Sequence, residues 1–354
     1  MQRENKYLKR THRRWSSYWD AKRGYIFAAG LLFFTLMGCA GENSRTTARQ
    51  PENAQTEALV TETLQTEEPL TEVISQAKEL TETETDEPGE NLNEPAENKA
   101  DWSDYFGGLN GAAVIYDATE HCFWTYNQEL AETRRSPCST FKIISSLIGL
   151  EAGIIRADDS VRPWSGEIFW NEQWNRDLNF SDAFHASCVW YFREVIDDIG
   201  RDTIQEELNR LQYGNCDISD WEGHLNTNNQ NPSLTGFWIE SSLLISPKEQ
   251  VNVMETIFGN KTAYSEETLQ QLKQVMLLQE EEEADISAYG KTGMGKAHGI
   301  VVDAWFTGFA ENGGKRISFC VYLGETDDPN VSSATAREIA VNIVSDYLKE
   351  KQPL

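Results

Sequence analysis

The sequence predicts a mixed α/β fold of the α+β type, in which a mainly antiparallel sheet is covered by helices. Strand patterns lie near both ends of the segment from residue 101 to residue 354, and helical patterns fill its middle. Hydrophobic residues make up 39% of the 354-residue chain. Because they are concentrated in this segment, it contains enough apolar material to bury a sizeable core.

The first elements of this segment are two strands and a helix. Residues 111–117 and 122–127 are predicted strands joined by a short polar turn. Residues 139–155 are predicted to be helical, because their apolar side chains recur at helical spacing and Gly153 is typical of a helix end.

The later elements are helices followed by a hairpin and a closing helix. Residues 180–211 are helical in pattern. Residues 304–310 and 317–323 are predicted strands on either side of Glu311-Asn312-Gly313-Gly314, a turn typical of hairpins. Residues 333–349 place apolar side chains on one face and predict the last helix. The sheet is therefore expected to join strands from distant parts of the chain.

Residues 1–38 predict a lipoprotein signal peptide. The chain is basic up to Arg23, and residues 24–37 then form an uncharged apolar run, shorter than the about 20 residues that span a membrane. The run ends at Leu36-Met37-Gly38-Cys39. This ending resembles a bacterial lipobox and implies lipidation of Cys39; an uncleaved anchor is the alternative. Both interpretations predict an extracytoplasmic domain attached to the cell membrane.

Residues 39–100 predict a disordered tether. They contain 4 basic and 15 acidic residues, many Thr, Asn, Gln and Pro residues, and almost no aromatic side chains. Such a composition cannot bury enough surface to offset the entropy of ordering. The domain of residues 101–354 then follows, and we expect the tether to hold it away from the lipid surface.

Charge and cysteine usage exclude several classes of function. Residues 101–354 contain 19 basic and 40 acidic residues, so the positive surface that nucleic acids require is not expected. If Cys39 carries a lipid, an odd number of cysteines remains, which is not a disulfide framework. No metal site is predicted, because His185 and Cys188 at three-residue spacing supply only two ligands.

The strongest chemical signal is Ser139-Thr140-Phe141-Lys142, where a loop enters a predicted helix. Residues three apart lie on one helical face, so the Lys142 amine can approach the Ser139 hydroxyl. A serine hydroxyl becomes a good nucleophile only when a nearby base takes its proton. Taken alone, the pattern has a structural interpretation as well, a helix-capping serine followed by a solvated lysine.

Four further motifs follow in the chain. They are Ser187-Cys188-Val189, Tyr213-Gly214-Asn215, Phe237-Trp238-Ile239-Glu240 and Lys291-Thr292-Gly293, in the chain order of penicillin-recognising serine enzymes. The set closely resembles class D serine β-lactamases, the oxacillinase family, and the related sensor domains of β-lactam receptors. The resemblance covers about residues 102–350. It implies a β-lactamase/transpeptidase-like fold with a helical subdomain, and β-lactams as small-molecule partners.

The resemblance implies that Ser139 attacks the lactam carbonyl and becomes acylated. Lys142 is then the base, N-carboxylated by dissolved CO2, and no metal or other cofactor is needed. Burial among Phe141, Val189 and Trp238 would lower the pKa of Lys142 and leave a neutral amine that can capture CO2. The indole N–H of Trp238 is expected to stabilise the carbamate.

The same resemblance implies the rest of the site. Ser187 is expected to relay a proton between Lys291 and the lactam nitrogen, and the backbone N–H groups of Ser139 and Met294 to form an oxyanion hole. The implied substrate-binding residues, some of them for the drug's carboxylate, are Lys291, Thr292, Gly293, Met294, Arg337, Tyr213 and Asn215. Singly, Trp238 and Val189 also fit a plain core, and residues 213–215 a simple turn.

Two features depart from the family pattern. Residues 216–236 form a longer connection than the family commonly has, which predicts an ordered or mobile flap beside the site. Cys138 precedes the nucleophile and Cys188 follows Ser187. These two cysteines are interpreted as small buried side chains, or alternatively as an oxidisable thiol pair.

Three functions share acylation of Ser139: a hydrolase, a sensor or slow acyl-binder, and a peptidase acting on D-Ala-D-Ala ends. They differ in whether water reaches and cleaves the acyl-enzyme. Sensors of the family commonly carry a polar residue where this chain has Val189, and a polar group there should disfavour a stable carbamate. The apolar Val189 therefore favours a hydrolase.

Overall fold

The computed structural model describes residues 94–157, 160–227, 230–278 and 286–350. The signal peptide predicted over residues 1–38, the lipidation site predicted at Cys39 and most of the predicted tether lie outside these described residues. Among the helices of the described residues, none combines the length and the apolar character needed to cross a membrane.

A sheet of six strands forms the centre of the part of the chain that the structure describes. The strands are β1 (Ala96–Lys99), β2 (Gly111–Asp117), β3 (Cys122–Tyr126), β4 (Ser287–Ala297), β5 (Ile300–Asn312) and β6 (Lys315–Leu323). Their order across the sheet is β1-β3-β2-β6-β5-β4, and all neighbours are antiparallel except β1 and β3. The prediction of a mainly antiparallel sheet is confirmed, and β2 pairs with β6 from the other end of the domain.

The helices surround this sheet. The α-helices of the described residues are α1 (Ser103–Phe106), α2 (Gln128–Ala131), α3 (Lys142–Glu151), α4 (Phe180–His185), α5 (Val189–Ile199), α6 (Arg201–Leu211), α7 (Pro247–Phe258), α8 (Glu266–Met276) and α9 (Ser333–Glu350). Short 3-10 helices cover Cys138–Phe141, Glu172–Trp174 and Pro232–Leu234.

The tether prediction is wrong at its C-terminal end, because β1 lies within the segment predicted to be disordered up to residue 100. The prediction relied on composition, and the side chains of β1 are mostly exposed. Backbone hydrogen bonds order the segment instead; for example, the Ala100 N–H donates to the Thr125 carbonyl at 2.9 Å. Glu97 also accepts a hydrogen bond from Lys248 Nζ at 2.7 Å. The folded domain therefore begins before residue 101.

The helix predicted over residues 139–155 is shorter than expected. It begins with the 3-10 turn Cys138–Phe141, continues as α3 and ends at Glu151, before the left-handed Gly153. The helical pattern over residues 180–211 forms three helices, α4, α5 and α6. The breaks fall at Ser187 and Gly200, whose φ angles of +53° and +85° are incompatible with a right-handed helix.

Alternate residues of β2 face opposite layers of the domain. Ala112 and Val114 pack in one cluster with Val251 of α7. Ala113 and Ile115 pack in another cluster with apolar side chains of α9. A third cluster joins α3, α4, α5, α6 and α8 into a helical subdomain, and the site described next lies between this subdomain and β4.

Candidate active site

The predicted nucleophile lies on a sharply bent turn. Ser139 is half-buried in the 3-10 helix Cys138–Phe141, and Cys138 before it has a left-handed φ of +50°. Thr140 Oγ1 donates to the Pro137 carbonyl at 2.7 Å and accepts a hydrogen bond from Gln250 Nε2 at 2.9 Å. These contacts hold the turn, and a left-handed non-glycine residue next to a nucleophile is typical of functional sites.

Lys142 lies beside Ser139, as the spacing in the sequence predicts. Its Nζ donates to Ser139 Oγ at 2.9 Å, and the side chain is only 1% exposed. The ammonium lies 5.4 Å from the centre of the Phe192 ring. Burial lowers the pKa of Lys142 to about 8, because desolvation disfavours the charged form. About one Lys142 side chain in ten is then neutral at pH 7.

Aromatic rings pack behind this lysine. Phe141 stacks on Trp238 with 6.1 Å between ring centroids and meets Tyr213 edge-on at 5.7 Å. All three rings are fully buried. Val189, the first residue of α5, is half-buried and packs against the same cluster. The three residues predicted to surround the base therefore form an apolar wall.

A second serine and lysine pair faces the first. Lys291 Nζ donates to Ser187 Oγ at 3.0 Å, and also to the carbonyl and Oγ1 of Thr292 at 3.1 and 3.4 Å. Lys291 is 5% exposed. Burial, together with the nearby charge of Lys142, holds the pKa of Lys291 well below its ordinary value. The two amines thus lie in a poorly hydrated site, where a nearby anion would stabilise their charged forms.

Strand β4 is the edge strand that lines the site, and it contains the Lys-Thr-Gly segment. Gly293 contacts the nucleophile turn so closely that a Cβ there would lie 2.9 Å from the Pro137 carbonyl oxygen. Met294 follows with an exposed side chain. Arg337 is half-buried on α9, a helix that packs against β4. The fold thus brings Gly293 to the nucleophile and places Arg337 on a helix next to this strand.

The Tyr-Gly-Asn segment supports the site from behind. Tyr213 is fully buried, and its hydroxyl accepts a hydrogen bond from Gln250 Nε2 at 3.5 Å. Asn215 Nδ2 donates to the Ser242 carbonyl at 2.8 Å, while its Oδ1 accepts the Leu244 N–H at 2.9 Å. The substrate-binding role predicted for Tyr213 and Asn215 remains a prediction, since the contacts described here join them to protein groups.

The described part of the 216–236 connection is ordered against the helical subdomain. Trp221 stacks on Phe237 with 5.1 Å between ring centroids. Arg193 of α5 donates to the Trp221 carbonyl at 2.7 Å, and its guanidinium lies 5.8 Å from the Trp238 ring centre. The sequence predicts either an ordered or a mobile flap, and these residues are ordered.

Several residues at the site were not predicted to act there. Ser136 Oγ donates to the Trp238 carbonyl at 3.1 Å and accepts the Glu240 N–H at 2.8 Å. Gln250 bonds both Thr140 and Tyr213. A polar residue inside an apolar helix face is the only signal for Gln250, and no pattern singles out Ser136. Such contacts depend on packing between distant segments.

The described cysteines are free thiols. Cys138 and Cys188 are fully buried, and burial raises the pKa of Cys188 to about 12 and that of Cys138 well above its ordinary value. Both properties favour small core side chains over reactive thiols. Within residues 94–350, apart from the gaps in the described ranges, no group of three or more His, Cys, Asp or Glu residues is arranged to hold a metal ion.

Comparison with known proteins matches the chain to a family profile and to curated relatives that include the two described here. The profile of the penicillin-binding protein transpeptidase domain matches residues 87–346. The regulatory protein BlaR1 of Bacillus licheniformis is 29% identical over 246 residues, which are 69% of this chain and 38% of that protein. The probable β-lactamase YbxI of Bacillus subtilis (strain 168) is 31% identical over 251 residues, which are 71% of this chain and 85% of that protein.

Solved structures also match this chain, among them a penicillin-receptor domain. The C-terminal domain of the Bacillus licheniformis BlaR penicillin receptor superposes with a TM-score of 0.62 at 28% identity. The superposition covers 73% of this chain and 98% of that domain. This chain therefore corresponds to the whole of that solved domain, but to little more than a third of the length of BlaR1.

Proposed function

The chain belongs to the penicillin-binding protein transpeptidase-domain family, and on this premise we propose that it is a serine β-lactamase with the class D mechanism. Its homologues include class D β-lactamases and BlaR-type sensors. In the proposed reaction, Ser139 opens the lactam amide of a penicillin and water then hydrolyses the acyl-enzyme.

One observation carries this proposal: a fully buried lysine amine lies 2.9 Å from the Ser139 hydroxyl, with a pKa of about 8. A neutral amine at this distance can take the serine proton as the hydroxyl attacks the lactam carbonyl. A permanently charged lysine could not. The hydrogen bond from Lys291 Nζ to Ser187 Oγ supports the proposal that this pair passes a proton to the lactam nitrogen as the C–N bond breaks.

The surroundings of Lys142 also fit its carboxylation by CO2. The neutral amine would form an N–C bond with CO2 and release one proton, which leaves an anionic carbamate. Two buried ammonium groups repel each other, and the charge of Lys142 lowers the pKa of Lys291. A negative group on Lys142 would replace this repulsion by attraction. The carbamate would stay deprotonated at a pH where most Lys142 amines carry a proton, so the proton acceptor would be available in more of the molecules, and the wall of Phe141, Val189 and Trp238 would exclude competing water.

Electrostatics support an anionic substrate despite the acidic character of the domain. Lys291 and Thr292 lie on the edge strand, and Arg337 lies on the helix packed against it. The electrostatic attraction between charges within about 4 Å outweighs the repulsion from acidic residues that are screened by salt beyond roughly 8–10 Å. We infer that these residues bind the carboxylate that penicillins carry, and that the backbone N–H groups of Ser139 and Met294 bind the oxyanion.

A sensor or slow acyl-binder is the second candidate, because the superposed domain of known structure belongs to a penicillin receptor. A sensor must remain acylated, so water must be kept from the ester. The side chain of Val189 provides no hydrogen-bonding group that could compete for the amine or the carbamate. This favours turnover, and therefore the hydrolase.

Steady-state measurements with benzylpenicillin and the purified full chain test the proposal, with and without added bicarbonate. Sustained turnover that increases with bicarbonate supports the hydrolase. One equivalent of product with a stable adduct on Ser139 supports the sensor. Release of D-alanine from a D-Ala-D-Ala peptide without penicillin turnover supports the peptidase. Absence of penicillin turnover, of an adduct on Ser139 and of D-alanine release in the wild-type chain contradicts all three.

We also propose that the protein is a lipoprotein held at the outer face of the cell membrane through Cys39. The lipobox-like residues 36–39 and the apolar run before them support this proposal. Metabolic labelling with a radioactive fatty acid tests it. We expect label in the wild-type chain and none in Cys39→Ser; equal labelling of both would contradict it.

A further inference from the structure

The nucleophile turn and the edge strand are joined by a set of contacts that the reaction described above does not use. Ser136, three residues before the nucleophile, is buried, and its Oγ accepts the Glu240 N–H at 2.8 Å. The Glu240 carboxylate in turn accepts the Lys296 N–H through Oε1 at 2.5 Å. We call this chain of contacts, from Ser136 through Glu240 to Lys296, the Glu240 bridge.

The backbone is irregular at Glu240, the centre of the bridge, and next to Lys296, at its end on β4. Glu240 has a left-handed φ of +50°, a conformation that costs a non-glycine residue free energy and persists only where surrounding contacts impose it. The register of β4 with β5 shifts between Gly295 and Lys296. The carboxylate of Glu240 therefore binds β4 where its ladder is broken, at a bulge that the sheet alone does not fix.

The carboxylate also lies directly between the strand and the turn. A Cβ on Gly295 would lie 3.0 Å from Glu240 Oε1 and 3.1 Å from Cys138 Sγ. Cys138 is the residue before the nucleophile, and Gly295 follows Met294. The two residues whose backbone N–H groups are proposed to bind the oxyanion, Ser139 and Met294, are thus each adjacent to a residue that packs at this point.

We propose that Glu240 is a positioning residue for the oxyanion hole. Its side chain sets the distance between the Met294 segment of β4 and the Ser139 turn by holding the Lys296 N–H, while Ser136 fixes its backbone. This inference rests on the proposed function, because an oxyanion forms only if Ser139 is acylated.

The essential property of the side chain is its reach, rather than its charge. A glutamine in place of Glu240 retains an oxygen acceptor at the same distance from the backbone. An aspartate retains the charge but is one methylene shorter, and it tolerates a left-handed φ well. A second carboxyl group, that of Asp303, is buried near Gly295 and accepts a hydrogen bond from the Tyr322 hydroxyl at 2.8 Å. A further negative charge on Glu240 is therefore not needed at this place.

The test measures acylation of the full chain by benzylpenicillin in single-turnover experiments, which separate the limiting rate from the apparent dissociation constant. For Glu240→Asp we expect a limiting rate about tenfold below wild type and a dissociation constant within twofold, since Lys291 and Thr292 are unaffected. For Glu240→Gln we expect both parameters within twofold of wild type. Glu311→Asp is the matched control, because Glu311 lies at the other end of the β4–β5 ladder.

Wild-type acylation in Glu240→Gln together with slow acylation in Glu240→Asp identifies the length of the side chain as the cause. A purely structural defect of the aspartate variant would instead lower the free energy of unfolding without lowering the limiting rate more than the affinity. A rate for Glu240→Asp equal to wild type, or equal losses for Asp and Gln, would overturn the inference while leaving the proposed function intact. Absence of acylation in wild type would overturn the proposed function, and the inference with it.

Discussion

The backbone of Gly293 passes so close to Pro137 that a Cβ at residue 293 would lie 2.9 Å from the Pro137 carbonyl oxygen. It would also lie 3.0 Å from Thr140 Cγ2. The edge strand and the nucleophile turn are therefore in direct backbone contact. The absence of a side chain at residue 293 is what permits the two halves of the proposed oxyanion hole to come together.

We expect Gly293→Ala to lower the rate of Ser139 acylation by about 100-fold, because small displacements of reacting groups cost rate steeply. The free energy of unfolding should fall by only about 1–3 kcal/mol, as in other overpacked cores. Stopped-flow acylation and urea unfolding measure the two effects. Gly149→Ala is the control, since its Cβ would crowd the side chain of Ile155 at 3.0 Å rather than the nucleophile turn; equal acylation losses in both variants would contradict the argument.

Replacing the buried base Lys142 should lower the rate of acylation and raise the free energy of unfolding. In Lys142→Met, acylation should fall by about 10²–10⁴-fold, because the proton acceptor is lost. The variant should be more stable than wild type by about 1–3 kcal/mol at pH 7, because the folded state holds the Lys142 pKa at about 8, below its ordinary value of 10.5. Denaturant unfolding measures this difference.

The pH dependence of that stability difference follows from the lowered pKa. Between pH 8 and 10.5 the unfolded chain binds the Lys142 proton more tightly than the folded chain, so wild-type stability rises with pH. The advantage of Lys142→Met should therefore shrink over this interval. A constant difference would indicate that Lys142 is not desolvated in the folded protein.

Recovery of activity by CO2 should also depend on pH. At a fixed concentration of dissolved CO2, a protein freed of CO2 should regain penicillin turnover about 15-fold faster at pH 8 than at pH 6.5. With a pKa of about 8, the neutral fraction of Lys142 is about one half at the first pH and about 3% at the second. Recovery rates that are equal at both pH values would contradict capture by this amine.

Ser187 combines a left-handed φ of +53° with a hydrogen bond to Lys291. Glycine accepts this backbone conformation without strain, so Ser187→Gly should fold normally and lose only the hydroxyl. We expect acylation to fall by about 10²-fold or more. Gln212→Gly is the control, because Gln212 is exposed and also left-handed, at φ +50°. Unchanged acylation in Ser187→Gly would exclude the proton relay.

The contribution of β1 can be measured by truncation. A chain shortened to residues 94–354 should be more stable than one shortened to residues 101–354, by about 1–3 kcal/mol, since the shorter chain loses the backbone hydrogen bonds to β3. Glu97→Ala in the longer chain should cost under about 0.5 kcal/mol, because its ion pair with Lys248 is exposed on the Glu97 side. Equal stability of the two truncated chains would show that β1 does not contribute.

Local patterns in the sequence predicted much of the fold. The strands β2 and β3 and the β5–β6 hairpin follow from short apolar runs bounded by turn residues, and the last helix follows from helical spacing of apolar residues; both are short-range properties. β1 was missed because its side chains are exposed and its order comes from pairing with β3. The break at Ser187 was missed because a left-handed residue leaves no periodic signal.

For the site, the sequence by itself determined that Lys142 can reach Ser139, because a spacing of three residues places both side chains on one face of a helical turn. Only the tertiary structure decided that Lys142 is buried, that Lys291 meets Ser187 from 104 residues away, and that Glu240 joins the turn to the edge strand. Burial and long-range contacts arise when the helical subdomain closes on the sheet, and no local pattern specifies how that closure removes water from an amine.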